Sequence, residues 1–245
     1  MQRLDAEVPQ HIREAITAIK ATCWLKRACS RYRRCSSLHM GLGIPRNICR
    51  KKPLMFGRFS LQMPELQQDL VNWIRSISDI DFCSIILNKY EPGDSMGVHS
   101  DGNLLPLQLS ARFGVDALGG ELHCGEEVVG EGVFIMNANE KHWVSELQSG
   151  TMYSIITYIK RDSFWMADYA TLSQLASWGY PLRTVCLICL FELYLRLLQR
   201  PGGLKKAREQ PNNLQYREIP ASLFEPWLLI QNPTNDSQTC RTFLP

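Results

Sequence analysis

The chain has 245 residues, 45% of them hydrophobic, and a formal net charge of only +3. This length fits one sizeable core with appendages, and the composition is ordinary for a globular protein. The small net charge argues against a molecule that binds polyanions over its whole surface.

Nine cysteines, an odd number, accompany an N-terminal segment that carries Asp5 and Glu7 and no apolar run. We expect reduced thiols and an intracellular location, cytoplasmic or nuclear. Cys186 and Cys189 have CxxC spacing but lie in an apolar segment, so we interpret them as buried thiols. That segment, 185–198, is too short and too charged for a membrane span, and none is predicted.

Residues 1–62 are predicted to form a basic N-terminal helix and linker. Apolar residues recur at three- and four-residue steps over 9–27, which predicts a helix. Residues 28–53 show no clean period and predict a loop. Only basic charged residues occur between Glu14 and Glu65. This stretch is a solvated arm or makes weak contact with nucleic acid, and both interpretations stay open here.

Residues 63–162 are predicted to be the core. A helical period over 63–78 is followed by short segments that are rich in β-branched and aromatic residues and separated by glycine turns. The predicted strands are 82–90, 104–113, 121–124 and 132–136, followed by the segments 142–145 and 147–150 and by a return strand over 153–159. Closely spaced strands without intervening helices favour a mainly β fold with flanking helices, a sandwich or barrel of the jelly-roll kind. Residues 163–245 are predicted to be C-terminal helices, over 166–176 and 183–200, and an irregular tail.

The residues that carry chemistry are His99, Asp101 and His142. In an extended segment residues i and i+2 point the same way, so His99 and Asp101 can reach a common point. A third ligand must come from elsewhere in the sheet. We prefer His142, which follows a predicted strand, over His123 as the alternative. Two imidazoles and one carboxylate form the facial triad that holds non-haem Fe(II).

The flanking sequence resembles the Fe(II)/2-oxoglutarate dioxygenase superfamily over roughly residues 82–162. The matching residues are Asn88, Tyr90, Gly93, His99, Asp101, 119–122, 142–144 and 150–154. The resemblance implies a double-stranded β-helix core, Fe(II) held by the triad, and 2-oxoglutarate as cosubstrate. It places Asn88, Tyr90 and Tyr153 among the cosubstrate-binding residues.

One position departs from the family pattern. The family's arginine on the closing strand pairs with the distal carboxylate of 2-oxoglutarate, and Met152 occupies that position here. Methionine cannot supply the charge. Arg112 and Lys160 are the candidate replacement cations, and Arg112 is our preferred cosubstrate-binding residue. Tyr90 and Thr151 are expected to add hydrogen bonds.

Two branches of the superfamily compete for the substrate. The AlkB-type nucleic-acid demethylases share the Asn-x-Tyr and His-x-Asp spacing, but their second arginine corresponds to Tyr158. The prolyl-hydroxylase-like branch shares the Gly-Gly-Glu-Leu step and the closing region, and we prefer it slightly. The expected activity is hydroxylation or demethylation of an unidentified protein, peptide or nucleic acid. The alternative is a degenerate, non-catalytic metal-binding or scaffold protein.

Overall fold

Two antiparallel β-sheets, with helices against one of them, make up the fold. In the computed structural model, residues 1–26, 35–42, 56–101, 107–159 and 169–181 are described. All of them belong to one unit, Met1–Tyr194, and the second unit, Leu195–Pro245, lies outside the described residues. Among the described residues, no helix combines the length and the apolarity that a bilayer span requires.

The strands are short at the edges and long at the centre. They are β1 (Gln2–Leu4), β2 (Leu25–Lys26), β3 (Ser36–Gly41), β4 (Ser84–Tyr90), β5 (Met96–His99), β6 (Leu107–Gly119), β7 (Leu122–Cys124), β8 (Glu127–Val129), β9 (Gly132–Asn137), β10 (His142–Val144) and β11 (Leu147–Tyr158). The helices are α1 (Gln10–Thr17), α2 (Arg58–Gln62), α3 (Pro64–Ile77) and α4 (Tyr169–Ser177), with a 3₁₀ turn at Ala21–Cys23.

From β4 onward the chain crosses between the two sheets at almost every step. The large sheet has the order β1-β9-β6-β11-β4-β3-β2, and the small sheet has the order β5-β10-β7-β8. From β4 to β11 the chain alternates between the large and the small sheet, with only β7 and β8 consecutive in one sheet. This winding is that of a double-stranded β-helix, so the predicted jelly-roll core is confirmed.

The large sheet has one apolar face and one face that carries both polar and apolar side chains. Leu38, Leu87, Ile155 and Ala111 are register partners across four strands, and all are buried in the core formed with α1 and α3. The next row, on the opposite face, consists of Ser37, Asn88, Ser154 and Arg112. Paired residues project from the same side of a sheet, and successive residues alternate. The polar row therefore faces the small sheet.

The helices cover the apolar face, as the sequence predicts for α3. Its first residue is Pro64, and Leu70, Val71 and Ile74 are fully buried. α1 ends at Thr17, before the end of the helix predicted over 9–27, and Leu25 and Lys26 pair with β3 instead. α4 agrees with the helix predicted over 166–176, and Leu175 packs into the same core. The predicted 183–200 helix lies outside the described residues.

Three strands that fall within residues 1–62, namely β1, β2 and β3, belong to the large sheet together with strands of the predicted core. β1 pairs with β9, and β3 pairs with β4 along six residues. The strand β3 falls inside the stretch that we predicted to be a loop. Leu38 and Met40 of β3 are fully buried, and the burial of these apolar side chains stabilises the pairing of β3 with the sheet. The rest of that stretch, 27–34 and 43–55, lies outside the described residues.

Candidate metal centre

The two histidines of the candidate site lie on neighbouring strands of the small sheet. His99 ends β5, His142 begins β10, and the two residues are direct partners in the antiparallel register. Their ring centroids are 4.2 Å apart. Asp101 follows β5, and its backbone N–H donates to the carbonyl of Ala138 at 2.7 Å. That hydrogen bond connects the segment after β5 to the loop before β10, the strand that begins with His142.

The three side chains converge on one point. Asp101 Oδ1 lies 4.0 Å from His99 Nε2, and Asp101 Oδ2 lies 3.9 Å from His142 Nε2. One ligand atom from each residue lies within 4.8 Å of the others. The predicted grouping of His99, Asp101 and His142 is therefore present in the fold.

The imidazoles are oriented by backbone carbonyls. His99 Nδ1 is 2.8 Å from the carbonyl oxygen of Gly97, and His142 Nδ1 is 2.9 Å from that of Glu140. A carbonyl accepts hydrogen bonds only, so in the neutral rings Nδ1 carries the proton and Nε2 carries the lone pair. Second contacts of this kind fix the ring orientation of metal-binding histidines.

The donor set suits Fe(II). Two neutral imidazole nitrogens and one carboxylate are the ligand types of the non-haem iron triad, which occupies one face of the ion. The His142 side chain is 7% exposed, whereas Asp101 is 31% exposed. The site is thus closed on the His142 side and accessible on the Asp101 side.

His123, the alternative third ligand, points away from this centre. Its neighbours on β7, Leu122 and Cys124, are buried on the inner face, so His123 projects to the other side. There its ring stacks on Trp143, with centroids 4.7 Å apart and planes 6° from parallel. The preference for His142 over His123 agrees with this geometry.

Of the predicted cosubstrate-binding residues, all except Tyr153 lie on the inner face of the large sheet, which is the face toward the small sheet. Asn88, Tyr90 and Arg112 are all buried there, and Asn88 Nδ2 donates to Ser154 Oγ at 3.3 Å. Met152 lies on the same face as the register partner of Tyr90 and Gly114, in an apolar cluster with Met96 and Val144. Lys160 lies outside the described residues.

Tyr153 is the exception, and its assignment to the cosubstrate is corrected. It follows Met152 on β11 and so points to the helix-covered face. Its ring stacks on Phe113 at 5.1 Å between centroids and contacts Trp24 at 6.0 Å. Burial raises the pKa of its hydroxyl. Tyr153 is a core residue, and Thr151, also an odd-numbered position of β11, alternates away from Met152 in the same way.

Sequence reasoning missed the polar residues that line the inner face. Ser37, Ser154 and Gln108 are each at most 4% exposed. Ser37 Oγ and Gln108 Oε1 have no hydrogen-bond partner within the described part of the chain. The period-two alternation could have revealed Ser154, which lies two residues after Met152. Ser37 could not be found, because its strand was not predicted.

The chain shows only weak similarity to proteins of known structure. No family model and no curated protein matches the chain. Among solved structures, it is similar to an oxidoreductase of the 2OG-Fe(II) oxygenase family from Burkholderia pseudomallei, with 13% identity and a TM-score of 0.37. That match covers 50% of this chain and 65% of the other, so the chain spans slightly less than two thirds of that protein.

Two further structures are similar over a larger share of the chain. NgTET1 in complex with 5mC DNA has 16% identity and a TM-score of 0.43, and the match covers 66% of this chain and 72% of that chain. The viral collagen prolyl hydroxylase from Paramecium Bursaria Chlorella virus-1 has 12% identity and a TM-score of 0.38, covering 64% and 93%. These values are too low to carry an argument, and the fold assignment rests on the strand order.

Proposed function

We propose that the protein is a non-haem Fe(II)- and 2-oxoglutarate-dependent dioxygenase that hydroxylates or demethylates a substrate still to be identified. The observation that carries the proposal is the convergence of His99, Asp101 and His142 at one end of a double-stranded β-helix. The family resemblance of the sequence around these residues supports it.

The chain's own residues have separate roles in this proposal. His99, Asp101 and His142 hold Fe(II), which together with 2-oxoglutarate supplies the oxidising chemistry. The Gly97 and Glu140 carbonyls keep both imidazoles in the metal-binding tautomer. Asn88, Tyr90 and Arg112 bind the cosubstrate between the sheets, where burial excludes bulk water.

The substrate class is open between peptides and nucleic acids. The partly exposed Asp101 side of the triad is the side from which a large substrate can approach. The basic stretch between Glu14 and Glu65 supports weak contact with a phosphate backbone.

The second candidate is a non-catalytic metal-binding or scaffold protein. Met152 favours it, because methionine lacks the charge that a buried carboxylate requires. In this alternative the triad still binds a metal ion, but 2-oxoglutarate is not turned over.

Two measurements on the full-length protein separate these functions. The first is anaerobic Fe(II) binding, and the second is release of CO₂ from 2-oxoglutarate labelled at its 1-carboxylate. Iron binding with CO₂ release supports the dioxygenase. Iron binding without CO₂ release, across peptide and nucleic-acid substrates, supports the scaffold. A chain that binds no iron contradicts both.

A further inference from the structure

The outer face of the small sheet, which points away from the large sheet, carries a row of apolar and aromatic side chains. Leu122 is buried on the inner face of β7, so the next residue, His123, projects outward. Val144 and Trp143 are related in the same way on β10. His123 and Trp143 are direct register partners with stacked rings, and the β8 partner of His123 is Val128, which is 55% exposed.

A β-bulge extends this row to β5. Between the two register pairs that join β5 and β10, β5 has the residues Gly97 and Val98, whereas β10 has only Trp143. Val98 precedes the inward-pointing His99 and is 53% exposed. We call the set that crosses all four strands the outer row, and its members are Val98, Trp143, His123 and Val128. Neighbouring strands lie about 4.8 Å apart, so the outer row is about 14 Å long.

The contiguity of the outer row distinguishes it from single exposed apolar residues. Such single residues are normal on protein surfaces, whereas contiguous apolar patches mark interaction sites. Stacking of His123 on Trp143 stabilises the pairing of β7 with β10, but it does not account for an exposed valine at each end of the row. The described helices pack on the large sheet, and both valines remain more than half exposed.

Acidic residues surround the outer row. The Glu121 carboxylate lies on the same face, because it accepts a hydrogen bond from the hydroxyl of Ser145, two residues after Trp143. Glu126 is exposed in the turn between β7 and β8. Lys141 is the only lysine or arginine in 91–101 and 119–147, the segments that contain the small sheet. The acidic residues of the same segments are Glu91, Asp94, Asp101, Glu121, Glu126, Glu127, Glu131, Glu140 and Glu146.

This charge decides which partner fits the outer face. The phosphates of a nucleic acid would meet carboxylates of the same sign. In a symmetric contact between two copies of this face, each acidic rim would lie against the other, and like charges across an interface are costly. A positively charged partner is attracted instead. An apolar centre with a charged rim is the usual layout of a protein interface, and tryptophan is enriched among the residues that contribute most to binding.

We propose that the outer row is a docking surface for a basic segment of another protein. Apolar side chains of that segment pack on Trp143 between Val98 and Val128, and its lysines and arginines lie against the acidic rim. The surface is independent of the triad, because His99 and His142 point inward from the same two strands. It therefore binds its partner whether or not the triad holds iron.

Fluorescence anisotropy of full-length protein with labelled synthetic peptides of equal length tests this surface. One peptide alternates lysine and leucine, the second alternates glutamate and leucine, and the third alternates lysine and serine. We expect the lysine–leucine peptide to bind roughly tenfold more tightly than either of the others, or better, because only this peptide matches both the apolar row and the acidic rim. Its binding should weaken as salt is added.

Variants of the outer row locate the binding. Val98→Thr/Val128→Thr removes apolar surface at both ends and keeps the β-branched shape, so it should weaken the lysine–leucine peptide about tenfold. Trp143→Ala should weaken it about 30-fold, as for an interface anchor. The matched control is Val115→Thr, an exposed valine of β6 in the large sheet, which should bind the peptide like wild type. Fe(II) binding and the melting temperature should not change in Val98→Thr/Val128→Thr.

The contrary outcomes are distinct. Failure of the wild-type chain to bind the lysine–leucine peptide, equal binding of the three peptides, or undiminished binding in Val98→Thr/Val128→Thr overturns the docking surface. If Trp143→Ala fails to fold, the threonine variant decides alone. Self-association of the wild-type chain in sedimentation velocity that the threonine variant abolishes would assign the row to a second copy. Tighter binding of a single-stranded oligonucleotide than of the lysine–leucine peptide would assign it to nucleic acid. Either result overturns the basic partner.

Discussion

Tyr153 and Ser154 are adjacent in sequence, yet they should respond to substitution in opposite ways. Tyr153 is 6% exposed and stacked on Phe113 in the helix-covered core. Tyr153→Ala should therefore cost about 3–5 kcal/mol, as for other buried aromatic residues. This is a large share of the 5–15 kcal/mol that stabilises a typical domain. Metal affinity should not change, because the side chain points away from the triad.

Ser154→Ala should show the reverse pattern. Losing the hydrogen bond from Asn88 costs roughly 1 kcal/mol. It also leaves Asn88, a proposed cosubstrate-binding residue, without this partner, so 2-oxoglutarate affinity should fall about tenfold in protein loaded with Mn(II), a redox-inert substitute for Fe(II). Urea unfolding measures the first quantity and calorimetric titration the second, and Tyr153→Phe, which keeps the ring, is the control. If Tyr153→Ala leaves stability intact and abolishes 2-oxoglutarate binding, the assignment of faces is wrong.

Three further predictions address the site and its supports. His123→Ala should retain metal binding and lose only its stacking on Trp143, so a variant without metal would reinstate His123 as a ligand. Gly150→Ala should destabilise the fold by about 2 kcal/mol or more, because φ is +73° and a Cβ would lie 2.1 Å from the Asp116 carbonyl oxygen; unchanged urea unfolding would contradict this. The hydrogen bond from Ser145 holds the pKa of Glu121 below its ordinary value, so its contribution to stability is present at neutral pH and disappears as the pH falls through the lowered pKa. The stability difference between wild type and Ser145→Ala should shrink on acidification, and a difference independent of pH would refute the assignment.

His99 and Asp101 can be paired from sequence because they depend on local geometry: the two-residue period gives their side chains a common direction. His142 is predicted from its position at the end of a strand, before a predicted turn and return strand, and from the family resemblance. The helix α3 was also predictable, since its apolar residues recur with the helical period. The His99–Asp101 pair and α3 both rely on signals within a few residues of chain.

The remaining features depend on long-range pairing. β3 contains Ser37 and His39 among its apolar residues and lies beside a run of basic residues, so only its pairing with β4 reveals a strand. The same pairing places β3 beside the strands of the core. The family motif alone places Tyr153 at the cosubstrate, whereas the alternation of β11 places it on the helix-covered face. The sequence indicates that Arg112 can supply a positive charge. Its burial, and the lack of hydrogen-bond partners for Nε and Nη1 among the described residues, depend on the packing of the two sheets.

Anaerobic Fe(II) titration of the wild-type chain and of Asp101→Ala tests the central claim most directly. We predict that the wild-type chain binds one Fe(II), and that Asp101→Ala loses this binding while keeping the wild-type melting temperature. Stoichiometric iron in Asp101→Ala, or no iron in the wild-type chain, would contradict the assignment of His99, Asp101 and His142 as the metal centre.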